Sequence, residues 1–283
     1  VHHQSFVGID SDGCVFDTME IKQKKCFHTV IVSHWKLEPV EKYVREAAEF
    51  VNLYSKWRGT NRFIALVKMF DLLSERREII DSGIKMPGLP ALRKFMKSGA
   101  ALGNPELEKA VKETGDSELA SLLKWSKDVN ALIKQTVSNI PPFKWVRESL
   151  EKISKNSDMI CVSQTPTEAL VREWEEHGLM KYAAVIAGQE LGTKTEHIAL
   201  AAKGKYNPDR MLMIGDAPGD RKAAKENLAH FYPVNPAHEV ESWERFHREA
   251  YDKFLAGTYG GSYEEKLIAE FEALLPEKAP WEK

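Results

Sequence analysis

Asp10, Asp12 and Asp17 fall close together in FVGIDSDGCVFDT, residues 6–18, on either side of Gly13. The apolar run Phe6–Ile9 fits a short buried strand, and a glycine just after the first two acids fits a sharp exit from it. Within a strand, Asp10 and Asp12 would share a face. At a strand end turning into a loop, both can converge on one point. Two ionised carboxylates that close repel. The arrangement persists best with a cation between them or with one acid protonated. The stretch therefore points to a Mg²⁺-type site at the C-terminal end of a strand.

Three later strand ends carry matching chemistry. The run DMICV, residues 158–162, ends in Ser163. AAVIA, residues 183–187, leads to Lys194 at the start of the next helix. MLMI, residues 211–214, ends in Gly215-Asp216, with Asp220 one helical turn on. In open parallel sheets ligands bind beyond the strand C-termini, so these groups are expected at one edge. Carboxylates hold a hard divalent ion, which keeps waters and accepts a phosphate oxygen. A lysine and a hydroxyl hold the other phosphate oxygens. A carboxylate nucleophile on phosphorus gives an aspartyl-phosphate, and a second acid must protonate the leaving oxygen and then activate water.

These positions require an α/β core. From residue 141 helix and strand alternate, which predicts a Rossmann-like parallel sheet between two helical layers. Strands are expected at 158–162, 183–187 and 211–214, with another over 228–232. Helices are expected at 143–155, 165–176, 193–203 and 216–226. Residues 18–140 read instead as helices throughout, over 18–34, 39–56, 61–80, 89–98, 105–114 and 117–138. Phe63, Leu66, Val67 and Phe70 mark one apolar stripe, and Pro or Gly breaks separate the segments. The expected organisation is thus a core of 1–17 and 141–283, with an all-helical cap of 18–140 inserted just after the acidic loop. Such an insert would stand over the carboxylates and open and close above them. Asp17 caps the first cap helix, with Glu20 three residues on. Residues 237–283 add helices whose aromatics pack on the core.

The bulk of the chain is ordinary. It has 283 residues, a formal net charge of −2, 43% hydrophobic and 29% charged residues, which fits a globular protein and gives no reason to expect nucleic acid or membrane as a partner. Cys14, Cys26 and Cys161 have no CxxC spacing, so reduced thiols in a cytoplasmic protein are expected. In the insert, Arg58 and Arg62 flank Gly59 and could reach an anionic part of a substrate. The plain alternative is two exposed arginines at a helix start.

Taken in order, the four segments resemble the motifs of the haloacid dehalogenase-like superfamily. DSDGCVFD resembles the first motif, Ser163 after its strand the second, Lys194 in LGTKTEHI the third, and IGDAPGDRKAA the fourth. The resemblance implies Asp10 as nucleophile and Mg²⁺ ligand, and Asp12 as general acid/base with its backbone carbonyl on the metal. It implies Ser163 and Lys194, with Gln164 beside them, as holders of the phosphoryl group. Asp216 would ligate Mg²⁺ and Asp220 would support the metal site. An acid at Asp12 favours phosphatases and phosphomutases over dehalogenases and phosphonatases. Gln164, Thr195 and Ala217 replace the family's usual Asn, Pro and Ser, which bears on substrate class. The expected activity is Mg²⁺-dependent hydrolysis of a small phosphorylated metabolite. The alternatives are a phosphomutase of the beta-phosphoglucomutase type and a non-catalytic metabolite-binding protein on the same fold.

Overall fold

A computed structural model describes residues 2–282. It contains five strands: β1 (Phe6–Ile9), β2 (Asp158–Val162), β3 (Val185–Ala187), β4 (Met211–Gly215) and β5 (His230–Pro233). They form one sheet in the order β3-β2-β1-β4-β5, and every pairing is parallel. The chain starts at the centre, builds one side through β2 and β3, then returns to build the other through β4 and β5. The reversal falls between β1 and β4, and it is beyond the strand C-termini at such a point that ligands bind in open α/β sheets.

The period-2 alternation of β1 explains the layers. Val7 and Ile9 pack with Val146, Leu150, Leu170, Trp174 and Trp243 on one face. Phe6 packs with Ile198, Ala202, Ala223 and Phe271 on the other. Both faces are covered, so the strands read as continuous apolar runs. Strand β3 is shorter than the expected 183–187, because a tight helical turn, Met180–Tyr182, occupies the residues just before it. The helix expected from Phe143 begins at Val146, since Trp145 takes a left-handed φ of 74° that an α-helix cannot contain.

Contacts divide the chain into two units. One comprises the segment ending at Met19 together with Asn139–Leu275; the other comprises Glu20–Ser138 together with the residues from Pro276 on. The first holds the sheet and its helices. Within it, Trp243, Phe246, Tyr251, Phe254 and Phe271 are all buried, which is where the late aromatics were expected.

The second unit is helical and has its own core, including Val44, Phe63, Phe70, Leu92 and Trp125. Its helices are more broken than the periodicity predicts. A π-helical stretch, Lys22–Phe27, interrupts the first. Arg76, with an extended ψ of 127°, divides Arg62–Glu75 from Arg77–Ser82. Arg76 is 6% exposed and is paired with Glu46 and Glu78. Its two carboxylate partners are themselves exposed, and together they hold the buried guanidinium at the break, although periodicity runs through it.

The last residues depart from the expected organisation. The tail beyond Leu275 belongs to the helical unit and not to the core. Ala279 is buried in the helical core. The Trp281 ring lies 5.7 Å from Phe50, and the Arg76 guanidinium sits 4.4 Å from its centroid. An aromatic face takes up a cation that burial would otherwise penalise. Nothing in the local pattern of residues 276–283 carries this information.

Candidate active site

The loop after β1 is fixed before any catalytic group is considered. Gly13 has φ 77°, a conformation that costs a side-chain-bearing residue, and its N–H donates to Phe16 O at 2.8 Å. The N–H groups of Val15 and Phe16 return to Ser11 O. Two buried tryptophans brace the turn: Trp174 Nε1 donates to Ser11 Oγ at 3.0 Å and Trp243 Nε1 to Cys14 O at 2.7 Å. Buried Trp N–H groups require acceptors, and here the acceptors are the loop itself.

Asp10, Asp216 and Asp220 converge. One carboxylate oxygen from each lies within 4.8 Å of the others, and all three residues are buried. Asp10 follows β1 and Asp216 follows β4, one on each side of the topological reversal. Asp220 is on the helix Pro218–Glu226 and accepts from Ala217 N at 3.0 Å. Lys194, the first residue of the helix Lys194–Ala202, bridges two of them, at 2.7 Å from Asp10 Oδ2 and 2.6 Å from Asp220 Oδ1. Thr193 and Glu196 form a capping box that starts this helix and so aims Lys194. Asp10 Oδ1 accepts from Ser11 N at 2.8 Å.

Burial is the main force raising the Asp10 carboxyl well above the ordinary range. Lys194 opposes it, while Asp220 and Asp216 add to it. Burial works to lower the Lys194 ammonium, yet Asp10 and Asp220 outweigh it and the net shift is upward. The centre thus holds three carboxylates and one ammonium, a formal charge of −3 + 1 = −2 when all are ionised. A buried site cannot carry that charge without cost. A divalent ion would balance it, and the oxygen-only donor set suits Mg²⁺. Burial foremost, and then Asp216 and Asp10, raise the Cys14 thiol well above its usual value, which keeps it inert.

Asp12 stands outside the trio. Its side chain is half-buried and accepts from Thr18 Oγ1 and from Thr165 Oγ1, the latter at 2.6 Å. The two hydroxyls hold one rotamer. Neither threonine is legible as a site residue in the sequence: Thr165 reads as part of a helix start and Thr18 as the first cap residue. The only available signal is a hydroxyl two positions beyond Ser163.

Ser163 is buried at the end of β2, with its N–H on Ala187 O and its Oγ accepting from Thr165 N at 3.2 Å. The Gln164 amide donates to Gly192 O at 3.0 Å and Ser163 O at 3.3 Å, so it ties two loops together. The cap arginines lie in the helical unit. Arg58 is 5% exposed and donates to Leu53 O at 2.9 Å. Arg62 donates to Ser126 and Asn130. The reading of both as exposed surface residues fails, because each guanidinium is bonded into the helical unit.

Gly215 shows how tightly the centre is built. A Cβ placed there would lie 2.3 Å from Asp220 Cγ and 2.4 Å from its Cβ. Gly215→Ala must therefore displace Asp220 or β4. The expected cost is about 1–3 kcal/mol of stability, as for overpacking elsewhere, read by urea denaturation. An unchanged midpoint would show that the close approach does not exist.

Residues 95–234 match the haloacid dehalogenase-like hydrolase family model. The chain belongs to the haloacid dehalogenase-like superfamily. The matched region contains Ser163, Lys194, Asp216 and Asp220, whereas Asp10 and Asp12 precede it. A haloacid dehalogenase-like hydrolase from Bacteroides fragilis is 14% identical, with 84% of this chain and 92% of that one covered, at a TM-score of 0.51. A haloacid dehalogenase-like family protein from Streptococcus pneumoniae is 14% identical over 85% and 90% of the two chains, at a TM-score of 0.45. One from Xanthomonas campestris is 10% identical over 90% and 93%, at 0.47. The Bacteroides likeness is one of fold. No curated protein matches. Among the described residues of this haloacid dehalogenase-like chain, no helix is long and apolar enough to cross a membrane.

Proposed function

We propose that the protein is a Mg²⁺-dependent phosphatase that hydrolyses a small phosphorylated metabolite through an aspartyl-phosphate on Asp10. The observation that carries this reading is the division of labour among the acids. Asp10, Asp216 and Asp220 share one buried centre with Lys194, while Asp12 is held apart by two threonines. A nucleophile and an acid/base must be separate groups, and the separation of Asp10 from Asp12 supports that assignment.

In the proposed cycle, Asp10 attacks phosphorus. The new Asp10 O–P bond forms as the ester P–O bond breaks, and protonated Asp12 gives its proton to the leaving alkoxide. Asp12 then takes a proton from water as that water attacks phosphorus. The Asp10 O–P bond breaks, inorganic phosphate leaves, and both acids are restored. Lys194 and Ser163 hold the phosphoryl oxygens. Mg²⁺ on Asp10, Asp216 and Asp220, and on the Asp12 carbonyl, would neutralise the attacking carboxylate and the phosphoryl oxygens.

The direct test is phosphate release from a panel of small phosphomonoesters, with Mg²⁺ and with EDTA. Release with Mg²⁺ and its loss with EDTA are expected. Interconversion of sugar phosphates without free phosphate would replace the reading with a mutase. If a phosphorylated compound raises the melting temperature without turnover, the protein is a binding module.

A further inference from the structure

A second polar centre lies inside the helical unit, on residues that the Asp10 chemistry does not use. Phe27, Asn52, Arg62, Met69 and Trp125 are among the residues that line a partly open cavity of about 10 Å³, which is room for one water-sized atom. Most of the wall is apolar. Its polar members are a guanidinium, an indole N–H and an amide.

Two of these are donors that lack what they need. Trp125 is 1% exposed, and its Nε1–H is buried with no acceptor. Arg62 uses Nη1 for Ser126 O, Ser126 Oγ and Asn130 Oδ1, and its Cζ lies 5.2 Å from the Phe27 centroid. All of those partners are neutral. Among the described residues no carboxylate pairs with Arg62. Burial alone lowers its guanidinium to about 10, the response of a cation without a counter-charge. The Asn52 amide already donates to Ala48 O.

Arg62 is part-buried and Trp125 fully so; a cation withdrawn from water without an anion is costly, and so is a buried N–H without an acceptor. The arginine's neighbours elsewhere in the unit show the usual remedy, since Arg76 is paired with two glutamates. At Arg62 the chain supplies none. A water could accept from the two donors, but it would bring no charge and would need acceptors for its own hydrogens. An atom-sized acceptor carrying one negative charge answers both needs.

We propose that this cavity is a site for a small monovalent anion of halide size, held by the Arg62 guanidinium and the Trp125 Nε1–H. The anion completes the helical core in the way a carboxylate partner would, and it makes the stability of that unit depend on the anion present.

The test uses the full chain. Its melting temperature is followed as chloride replaces gluconate at constant ionic strength, and crystals grown in bromide are examined for anomalous scattering. A rise of about 3 °C across the titration is expected, as for a ligand that binds the native state alone, with a bromide peak between Arg62 and Trp125. Arg62→Gln should abolish the rise. Because that variant removes three hydrogen bonds and could fail to fold, Trp125→Phe serves beside it: it keeps an aromatic ring, deletes the N–H donor together with part of the indole, and should weaken the chloride response several-fold. A melting temperature indifferent to chloride, or a cavity that holds water and shows no bromide signal, overturns the proposal. So does a chloride response that survives unchanged in either variant.

Discussion

Asp10→Asn is expected to reduce phosphate release by about 10⁴-fold or more, or ~5.5 kcal/mol of transition-state stabilisation, as for loss of a catalytic nucleophile. The amide keeps the size of the carboxylate but cannot form the acyl phosphate. The fold should survive. In the metal-free protein Asp10 is a buried acid whose carboxyl is pushed well up, mainly by burial, so its charge is a cost to the native state. Removing that charge should leave the melting temperature unchanged or higher. Steady-state assays beside a thermal melt separate the two effects. A variant that is inactive and also unfolded would not support the nucleophile assignment, and a variant that retains activity would end it.

The second large effect is expected from Lys194→Met. Its ammonium lies 2.7 Å from Asp10 and 2.6 Å from Asp220. Deleting one partner of a buried ionic cluster costs about 3–5 kcal/mol, and the loss should appear near neutral pH with EDTA present. The sign with pH follows from Asp10. Its folded pKa is raised above the unfolded value of 3.8, so the folded state binds its proton more tightly. Its contribution is most favourable below that unfolded value and is lost as pH rises through the raised one. Metal-free protein should therefore gain stability as pH falls from neutrality, and more steeply in Lys194→Met, where only protonation relieves the acids. Mg²⁺ should restore stability at neutral pH in both. Urea titrations across pH, with EDTA and with Mg²⁺, measure this. A Lys194→Met protein as stable as the parent in EDTA would show that the three acids do not face one another.

The strand ends were readable because each pairs a short apolar run with a group that a core would reject. Asp10 after FVGI, Ser163 after DMICV and Asp216 after MLMIG stand out by that contrast. Their convergence needed the sheet order β3-β2-β1-β4-β5, which local pattern does not contain. Thr18 and Thr165 escaped notice because a hydroxyl near a helix start reads as a cap. The break at Arg76 escaped because the apolar stripe continues through it, and only its pairing with Glu46 and Glu78 marks the site. Arg62 was legible as an arginine beside a turn, but its bonding to neutral partners depends on Ser126 and Asn130, more than sixty residues away.

The return of the C-terminal tail to the helical unit bears on how this chain could be recombined. The chain passes between the two units three times, near residues 19, 138 and 275. A cap inserted in a loop is ordinarily one continuous segment that can be cut out and exchanged. Here a graft of 20–138 alone would leave Ala279 and Trp281 behind, with the Arg76 face and Phe50 uncovered. The exchangeable module is discontinuous, and its two pieces must move together.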